Sequence, residues 1–213
     1  MKKSRAAMSV VALALVLSSG FMVGGQGSTV YAKAATPGLD AATQAWDRTS
    51  MDKDLQRIIS RSSSKLLGAY VTGMFTSTDN RISNVKKAAK RINGEVIGPN
   101  ETFSFNETVG NSNLPEDGWK KAGVFIGGKL VDDYGGGICQ VSSTLFNAAE
   151  EAGMVMVERH AHSRDISYVP KGRDATVAYG ALDFKFANPY DYPVKIKAKV
   201  YDDTYVLVRI VRA

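Results

Sequence analysis

Tyr134-Gly135-Gly136-Gly137-Ile138-Cys139-Gln140-Val141-Ser142-Ser143-Thr144-Leu145-Phe146-Asn147-Ala148-Ala149 is the stretch that decides how this chain folds. Three consecutive glycines lose much backbone entropy on folding and bring no side chain to a core. They belong where the chain turns sharply or where something approaches the backbone closely. A helix is expected straight afterwards, from Cys139 to Ala152, with Gly153 as its C-terminal cap. Cys139 then falls in the first helical turn, where free N–H groups and the helix dipole favour negative charge. Both effects lower a thiol pKa toward the reactive thiolate, and the same N–H groups suit the oxyanion formed when a thiolate attacks a carbonyl. A buried, inert cysteine is the bland alternative. Ser142-Ser143-Thr144 is a poor mid-helix choice unless the hydroxyls have partners, which favours a functional surface. Tyr134, Gly136, Gly137, Gln140, Ser142 and Ser143 are therefore candidate substrate-binding residues around the thiol.

On either side the apolar period is two. Val124-Phe125-Ile126, Gly127-Gly128 and Lys129-Leu130-Val131 predict a hairpin with a two-residue turn. Val194 to Val200 alternates strictly, and Asp202-Asp203 turns the chain into Tyr205 to Ile210 as a second, half-buried hairpin. Met154 to Arg159 reads as a strand leaving the helix. Upstream, Asn84 to Ile92 reads as an amphipathic helix with Val85, Ala88, Ala89 and Ile92 on one face, closed by Asn93-Gly94. Leu55, Ile58, Ile59, Leu66 and Leu67 give a rougher helical spacing over Asp54 to Tyr70. The expected fold is α+β: mainly antiparallel strands and hairpins packed on a central helix that begins at the cysteine, with N-terminal helices.

The first residues predict export. Lys2, Lys3 and Arg5 precede the apolar run Ala6 to Val16, and small residues lead to Val30-Tyr31-Ala32 and Ala32-Lys33-Ala34, two overlapping cleavage patterns. The apolar run is interrupted by Ser18, Ser19 and Gly20 before it reaches the ~20 residues a spanning helix needs. The domain expectation is a signal peptide over 1–34, a linker and N-terminal helical segment over 35–70, and one globular domain over 71–213, in a secreted, extracytoplasmic protein. The net charge is +6, with 27 Lys and Arg against 21 Asp and Glu, and cleavage after Ala32, which removes Lys2, Lys3 and Arg5, halves it. That removes the main support for a nucleic-acid partner. Exported proteins usually pair cysteines as disulfides, but this chain has one cysteine and so closes no internal bridge.

A cysteine nucleophile works with a base. The two histidines both lie in Glu158-Arg159-His160-Ala161-His162-Ser163, and residues two apart on a strand face the same side, so either His160 or His162 is a candidate. In Tyr168-Val169-Pro170-Lys171-Gly172-Arg173-Asp174-Ala175-Thr176-Val177, Asp174 is a candidate to orient an imidazole and Arg173 to grip a substrate carboxylate. Cys139, His160 and His162 could together hold zinc with an open position, but they lack a short metal-binding spacing. Neither a metal nor another cofactor is expected.

Gly135 to Leu145, Glu158 to Ser163, Ser167 to Pro170 and Gly172 to Val177 together resemble the VanW domain family. Arg81-Ile82-Ser83-Asn84-Val85, Gly98 to Asn106 and Asn188-Pro189-Tyr190-Asp191-Tyr192-Pro193 extend the resemblance from about Thr72 to Val200. The resemblance implies a bacterial protein of the cell wall, peripheral to the outer membrane face or wall at most. It implies an L,D-transpeptidase that uses Cys139 as nucleophile on peptidoglycan stem peptides. Cys139 would attack the bond after the third residue of a tetrapeptide stem, D-Ala would leave, and a neighbouring stem's amine would resolve the thioester into a 3-3 cross-link. Two other readings stand beside it: a cysteine amidase or peptidase of the same stems, in which water replaces the acceptor amine, and a non-catalytic wall-binding module.

Overall fold

A computed structural model describes residues 65–127 and 129–213. The expected leader, the linker and the helical spacing as far as residue 64 lie outside the described residues. In chain order the elements are β1 (Leu66–Gly73), α1 (Asp79–Ile92), β2 (Val96–Ile97), β3 (Thr102–Ser104), α2 (Phe105–Val109), a 3₁₀ turn (Pro115–Asp117), β4 (Lys121–Ile126), β5 (Lys129–Tyr134), α3 (Ile138–Glu151), β6 (Val155–Glu158), β7 (Lys185–Ala187), β8 (Val194–Tyr201) and β9 (Tyr205–Arg212). They form a four-stranded sheet in the order β1-β9-β8-β2, a three-stranded sheet in the order β3-β7-β6, and the β4-β5 hairpin. Every pairing is antiparallel, and the fold is α+β.

Helix α3 packs across β1 and β9, while α1 packs on β8 and against α3. Between them lie Val85, Ala88 and Ile92 of α1, Val141, Leu145 and Ala148 of α3, and Ile196, Val208 and Ile210 of the large sheet, all at 0% exposure. Burying one such Leu, Ile or Val is worth roughly 1.5–3 kcal/mol, so this layer is the main anchor of α3. The end of α3 is fixed by backbone chemistry. Gly153 at φ +72 donates to the Glu150 carbonyl at 3.1 Å, and Met154 N–H donates to the Ala149 carbonyl at 2.9 Å. That pair of bonds is a Schellman motif, and it places the cap at the glycine expected from sequence.

The two hairpins form as expected. Ile126 pairs with Lys129 across the β4-β5 turn, and β8 runs beside β9 from Val194–Arg212 to Tyr201–Tyr205. Helix α1 begins earlier than its apolar face suggested. Thr78 caps it by accepting from the Arg81 N–H, and Asp79 sits in the first turn, a start signal that lies upstream of the apolar stripe.

One expectation is corrected. The helical spacing read as far as Tyr70 gives way at Leu66, where strand β1 begins. An isolated pair such as Leu66-Leu67 fits either period, and the sheet decides between them: β1 pairs with β9 from Leu66–Val211 to Gly73–Tyr205. Gly68 makes this possible. A Cβ there would lie 2.4 Å from the Ala148 oxygen and 2.5 Å from the Ala152 nitrogen, so β1 can lie directly on the end of α3 only because residue 68 has none.

Candidate active site

Within α3 every residue from Gln140 to Ala149 is buried, and so is Ile138. Cys139 between them is half-buried. It occupies the second helical position, and the triple glycine explains how the chain delivers it there. Gly135 and Gly137 take φ of +76 and +107, a region that favours glycine. At Gly136 a Cβ would meet the Ala122 oxygen at 2.4 Å, and at Gly137 it would meet Arg81 Cγ at 2.9 Å. The turn is therefore wedged between β4 and α1. The Ile138 and Gln140 N–H groups donate to the Gly135 and Gly137 carbonyls, and the Cys139 N–H between them meets no carbonyl among the described residues.

The polar residues of α3 sort into two stripes by the i, i+4 geometry of a helix. Gln140 and Thr144 face β1: Gln140 Nε2 donates to Thr72 Oγ1 at 3.0 Å and to the Gly73 carbonyl at 2.8 Å, and Thr144 Oγ1 lies 2.8 Å from Thr72 Oγ1. Cys139, Ser143 and Asn147, with Ser142 beside them, face residues 173–177. Ser142 donates to the Ala175 carbonyl at 2.6 Å, Ser143 accepts from the Ala175 N–H at 2.9 Å, and Asn147 donates to the Arg173 carbonyl at 2.7 Å. These hydroxyls and amides staple the segment to the helix, and that segment ends against the sulfur. Thr176 Oγ1 lies 3.7 Å and the Val177 carbonyl 3.4 Å from Cys139 Sγ.

The same staple carries Asp174 to His162. Asp174 is 6% exposed. Its Oδ2 accepts from both the backbone N–H and the ring Nδ1 of His162, each at 2.6 Å. Arg159 holds the carboxylate from the other side, with Nη2 at 3.4 Å from Oδ1 and Nε donating to the Asp174 carbonyl at 2.6 Å. The imidazole and the Cys139 thiol lie close enough that each shifts the ionisation of the other. Cys139, His162 and Asp174 thus lie together as candidate nucleophile, base and orienting carboxylate, with the Asp174 bond to Nδ1 fixing the direction of the ring.

The electrostatics follow from this chain. Burial pushes the Cys139 thiol up, but the neighbouring His162 imidazole and the Thr176 hydroxyl hold its pKa below the ordinary value. Burial pushes the His162 imidazole down, yet Cys139 and Asp174 raise it above its ordinary value. Asp174 is likewise held low, its burial outweighed by the His162 backbone and ring. All three directions favour thiolate, imidazolium and carboxylate together.

His160 is placed apart from this chain. Strand β6 stops at Glu158, and His160 joins Thr176 only through an isolated bridge, so the two imidazoles do not share a strand face. His160 Nε2 meets Glu158 Oε1 at 2.9 Å with its side chain 38% exposed, against 9% for His162. No group of three or more potential metal ligands is assembled among the described residues. Arg173 pairs with Glu150 and lies over the Phe146 ring, near the far end of α3 and about 16 Å along its axis from Cys139. Gln140, Ser142 and Ser143 are buried with their polar groups engaged as above. Tyr134 ends β5 under the Lys121 ammonium, 5.3 Å from its ring centroid.

Three side chains at the site carried no assigned role in sequence. Arg159 clamps Asp174. Tyr168 packs edge-on to His162 with ring centroids 6.4 Å apart, and burial, reinforced by Cys139, pushes its phenol up. Arg81 lies with its guanidinium carbon 5.9 Å from the Tyr168 centroid. The signal for all three was present only as membership of stretches that carry the family resemblance, Arg81 to Val85, Glu158 to Ser163 and Ser167 to Pro170.

The chain is 45% identical over 150 residues to YoaR of Bacillus subtilis (strain 168), covering 70% of this chain and 49% of that one. It is 32% identical over 133 residues to the vancomycin B-type resistance protein VanW of Enterococcus faecalis (strain ATCC 700802 / V583), covering 60% of this chain and 48% of that one. The chain therefore spans about half the length of the curated relatives it matches. No solved structure matches it significantly. The model of the VanW-like proteins matches residues 80–211, a span that contains Cys139, His162 and Asp174, and the chain belongs to the VanW-like family.

Proposed function

We propose that this protein is an exported cell-wall enzyme, a cysteine-dependent L,D-transpeptidase that forms 3-3 cross-links between peptidoglycan stems. The observation that carries the reading is the His162–Asp174 pair held beside the Cys139 thiol at the start of α3. The leader-like N-terminus and the likeness to a vancomycin B-type resistance protein support the wall as its place of work.

In this reading the Cys139 thiolate attacks the carbonyl of the stem's third residue, and the negative charge passes to its oxygen. The Cys139 N–H and the positive end of α3 stabilise that oxyanion. His162 as imidazolium gives its proton to the departing nitrogen, so the bond to D-Ala breaks and a thioester remains. Neutral His162 then takes a proton from the acceptor stem's amine as that amine attacks the thioester. The new amide forms, and the sulfur leaves as thiolate beside imidazolium, the starting state. Asp174 keeps its charge throughout and holds the ring.

The test is incubation of the purified protein with disaccharide-tetrapeptide, followed by mass analysis of the products. A cross-linked dimer with loss of D-Ala is expected, and none with Cys139→Ala. Free tripeptide without dimer would replace transfer by hydrolysis. An unchanged substrate, with C139A still supporting the protein's role in cells, would leave a wall-binding module.

A further inference from the structure

Beside the thiol stands a cation that the thiol, histidine and carboxylate chain does not use. Arg81 lies in the first turn of α1 and is half-buried. Its Nη1 donates to Gln140 Oε1 at 2.7 Å and to Ser77 Oγ at 2.9 Å. Gln140 directly follows the nucleophile and is 1% exposed. Both bonds of its Nε2 are committed to β1, at Thr72 and Gly73, so its oxygen is locked in the direction of Arg81. On the other side the guanidinium lies over Tyr168, whose ring packs on His162. Arg81 Cγ is also the atom against which Gly137, the cap of α3, is pressed. The guanidinium is therefore held from three sides, in the wall of the site that contains Cys139 and His162.

Arg159, Arg173 and Lys185 each meet a carboxylate. Arg81 meets none among the described residues. A guanidinium carries five N–H donors in a planar fork, and two of those on Arg81 are accounted for. Partial burial of a charge without an opposite partner is unfavourable, and the fork that remains matches a carboxylate. Burial lowers the pKa of this arginine, while Tyr168 and Cys139 push it back up, which places both within electrostatic reach of the guanidinium.

We infer that Arg81 is a carboxylate subsite beside Cys139, and that it receives the free C-terminal carboxylate of the residue that departs from the donor stem. The second half of the inference rests on the proposed transfer reaction. There the leaving group is a single amino acid, and its carboxylate lies two bonds beyond the scissile nitrogen. A cation in the wall of the cysteine site can reach it. One further residue on the stem would carry the charge onward by about 3.5 Å, and amidation would remove it. Arg81 thus selects stems that end one residue past the bond to be broken.

The test measures calorimetric binding of tetrapeptide stem to the Cys139→Ala protein, with the C-terminal free acid and the C-terminal carboxamide compared. The acid should bind about 10- to 100-fold more tightly, the range expected for hydrogen bonds to a charged group. Arg81→Gln in the same background should bring the two affinities together by weakening the acid alone, and Arg81→Lys should restore part of the difference. Equal affinities for acid and amide overturn the subsite, a result that needs no Arg81 variant to fold. Equal loss on both ligands with R81Q also overturns it, because that pattern belongs to a structural staple. A preserved preference for the acid, with neither D-Ala release nor an acyl adduct on the wild-type protein, leaves the subsite standing and removes the transferase reading.

Discussion

Two corners of the same short stretch hold the two histidines, and they differ in everything but residue type. At Glu158 and His160, an imidazole meets a half-buried carboxylate that also pairs with Lys185 at 2.9 Å. At His162 and Asp174, an imidazole is clamped through both its ring and its backbone by a carboxylate that is itself held by Arg159. The first corner is a surface ion cluster of the kind that contributes little to stability. The second is a buried chain ending on a sulfur. Proximity to a cysteine in sequence therefore does not identify a base. What singles out a candidate is which imidazole the fold has fixed by a second group and set beside the thiol.

The largest effects that would break this comparison fall on the buried corner. His162→Ala and Asp174→Asn should each lower kcat/KM for stem transfer by on the order of 10²- to 10⁴-fold, the range for losing a general base or the carboxylate that sets its tautomer. His160→Ala, assayed alongside with the same tetrapeptide, should stay within about threefold. Equal losses at the two histidines would erase the distinction.

The pH profile sharpens it. With Cys139 lowered and His162 raised, the thiolate–imidazolium pair exists between the two values. The rate should therefore fall as pH drops through the depressed thiol pKa, and fall again as pH rises through the raised imidazole pKa. Steady-state rates across pH should give this bell in the wild type, and a profile of the same shape in H160A.

A smaller effect concerns the staple behind the buried corner. Ser143→Ala removes the acceptor of the Ala175 N–H at a fully buried site. It should cost about 1–3 kcal/mol in denaturant unfolding, and it should loosen Asp174 without touching the reactants.

The smallest effect belongs to the exposed corner. His160, Lys185 and the Asp183 backbone lower the Glu158 pKa to about 2, below the ordinary carboxylate range. Its stabilising contribution is therefore present above about pH 4.5 and fades as pH falls through about 2. Glu158→Gln should lower stability slightly in denaturant unfolding at neutral pH, and its difference from the wild type should shrink as pH falls from about 4.5 toward about 2.

How much of this could be read from the sequence follows physical lines. The glycine turn, α3 with its Gly153 cap, and both hairpins were legible because each is decided by residues adjacent in the chain. Strand β1 was not legible, since Leu66-Leu67 is compatible with both periods and only the distant β9 and the bare Cα of Gly68 settle it. Cys139, Asp174 and the pair of histidines were legible as residue types. The choice of His162 over His160 was not, because the strand parity that would have aligned them ends at Glu158. Ser142 and Ser143 announced that the helix had a polar partner, but not that the partner was this chain's own residues 173–177. Arg81 lay furthest from view. Its contact with Gln140 joins α1 to α3 across the fold, and no local pattern marks it.

The central claim is that Cys139 is an ionised nucleophile made so by His162. The direct measurement is the rate of alkylation of this single cysteine by iodoacetamide as a function of pH, followed by intact mass, in the wild type and in His162→Ala. The account predicts that the wild-type reaction reaches its plateau below the ordinary thiol pKa of about 8.5, and that H162A moves the inflection up to that value or above it. An inflection at or above about 8.5 in the wild type, unchanged by removal of His162, would contradict it.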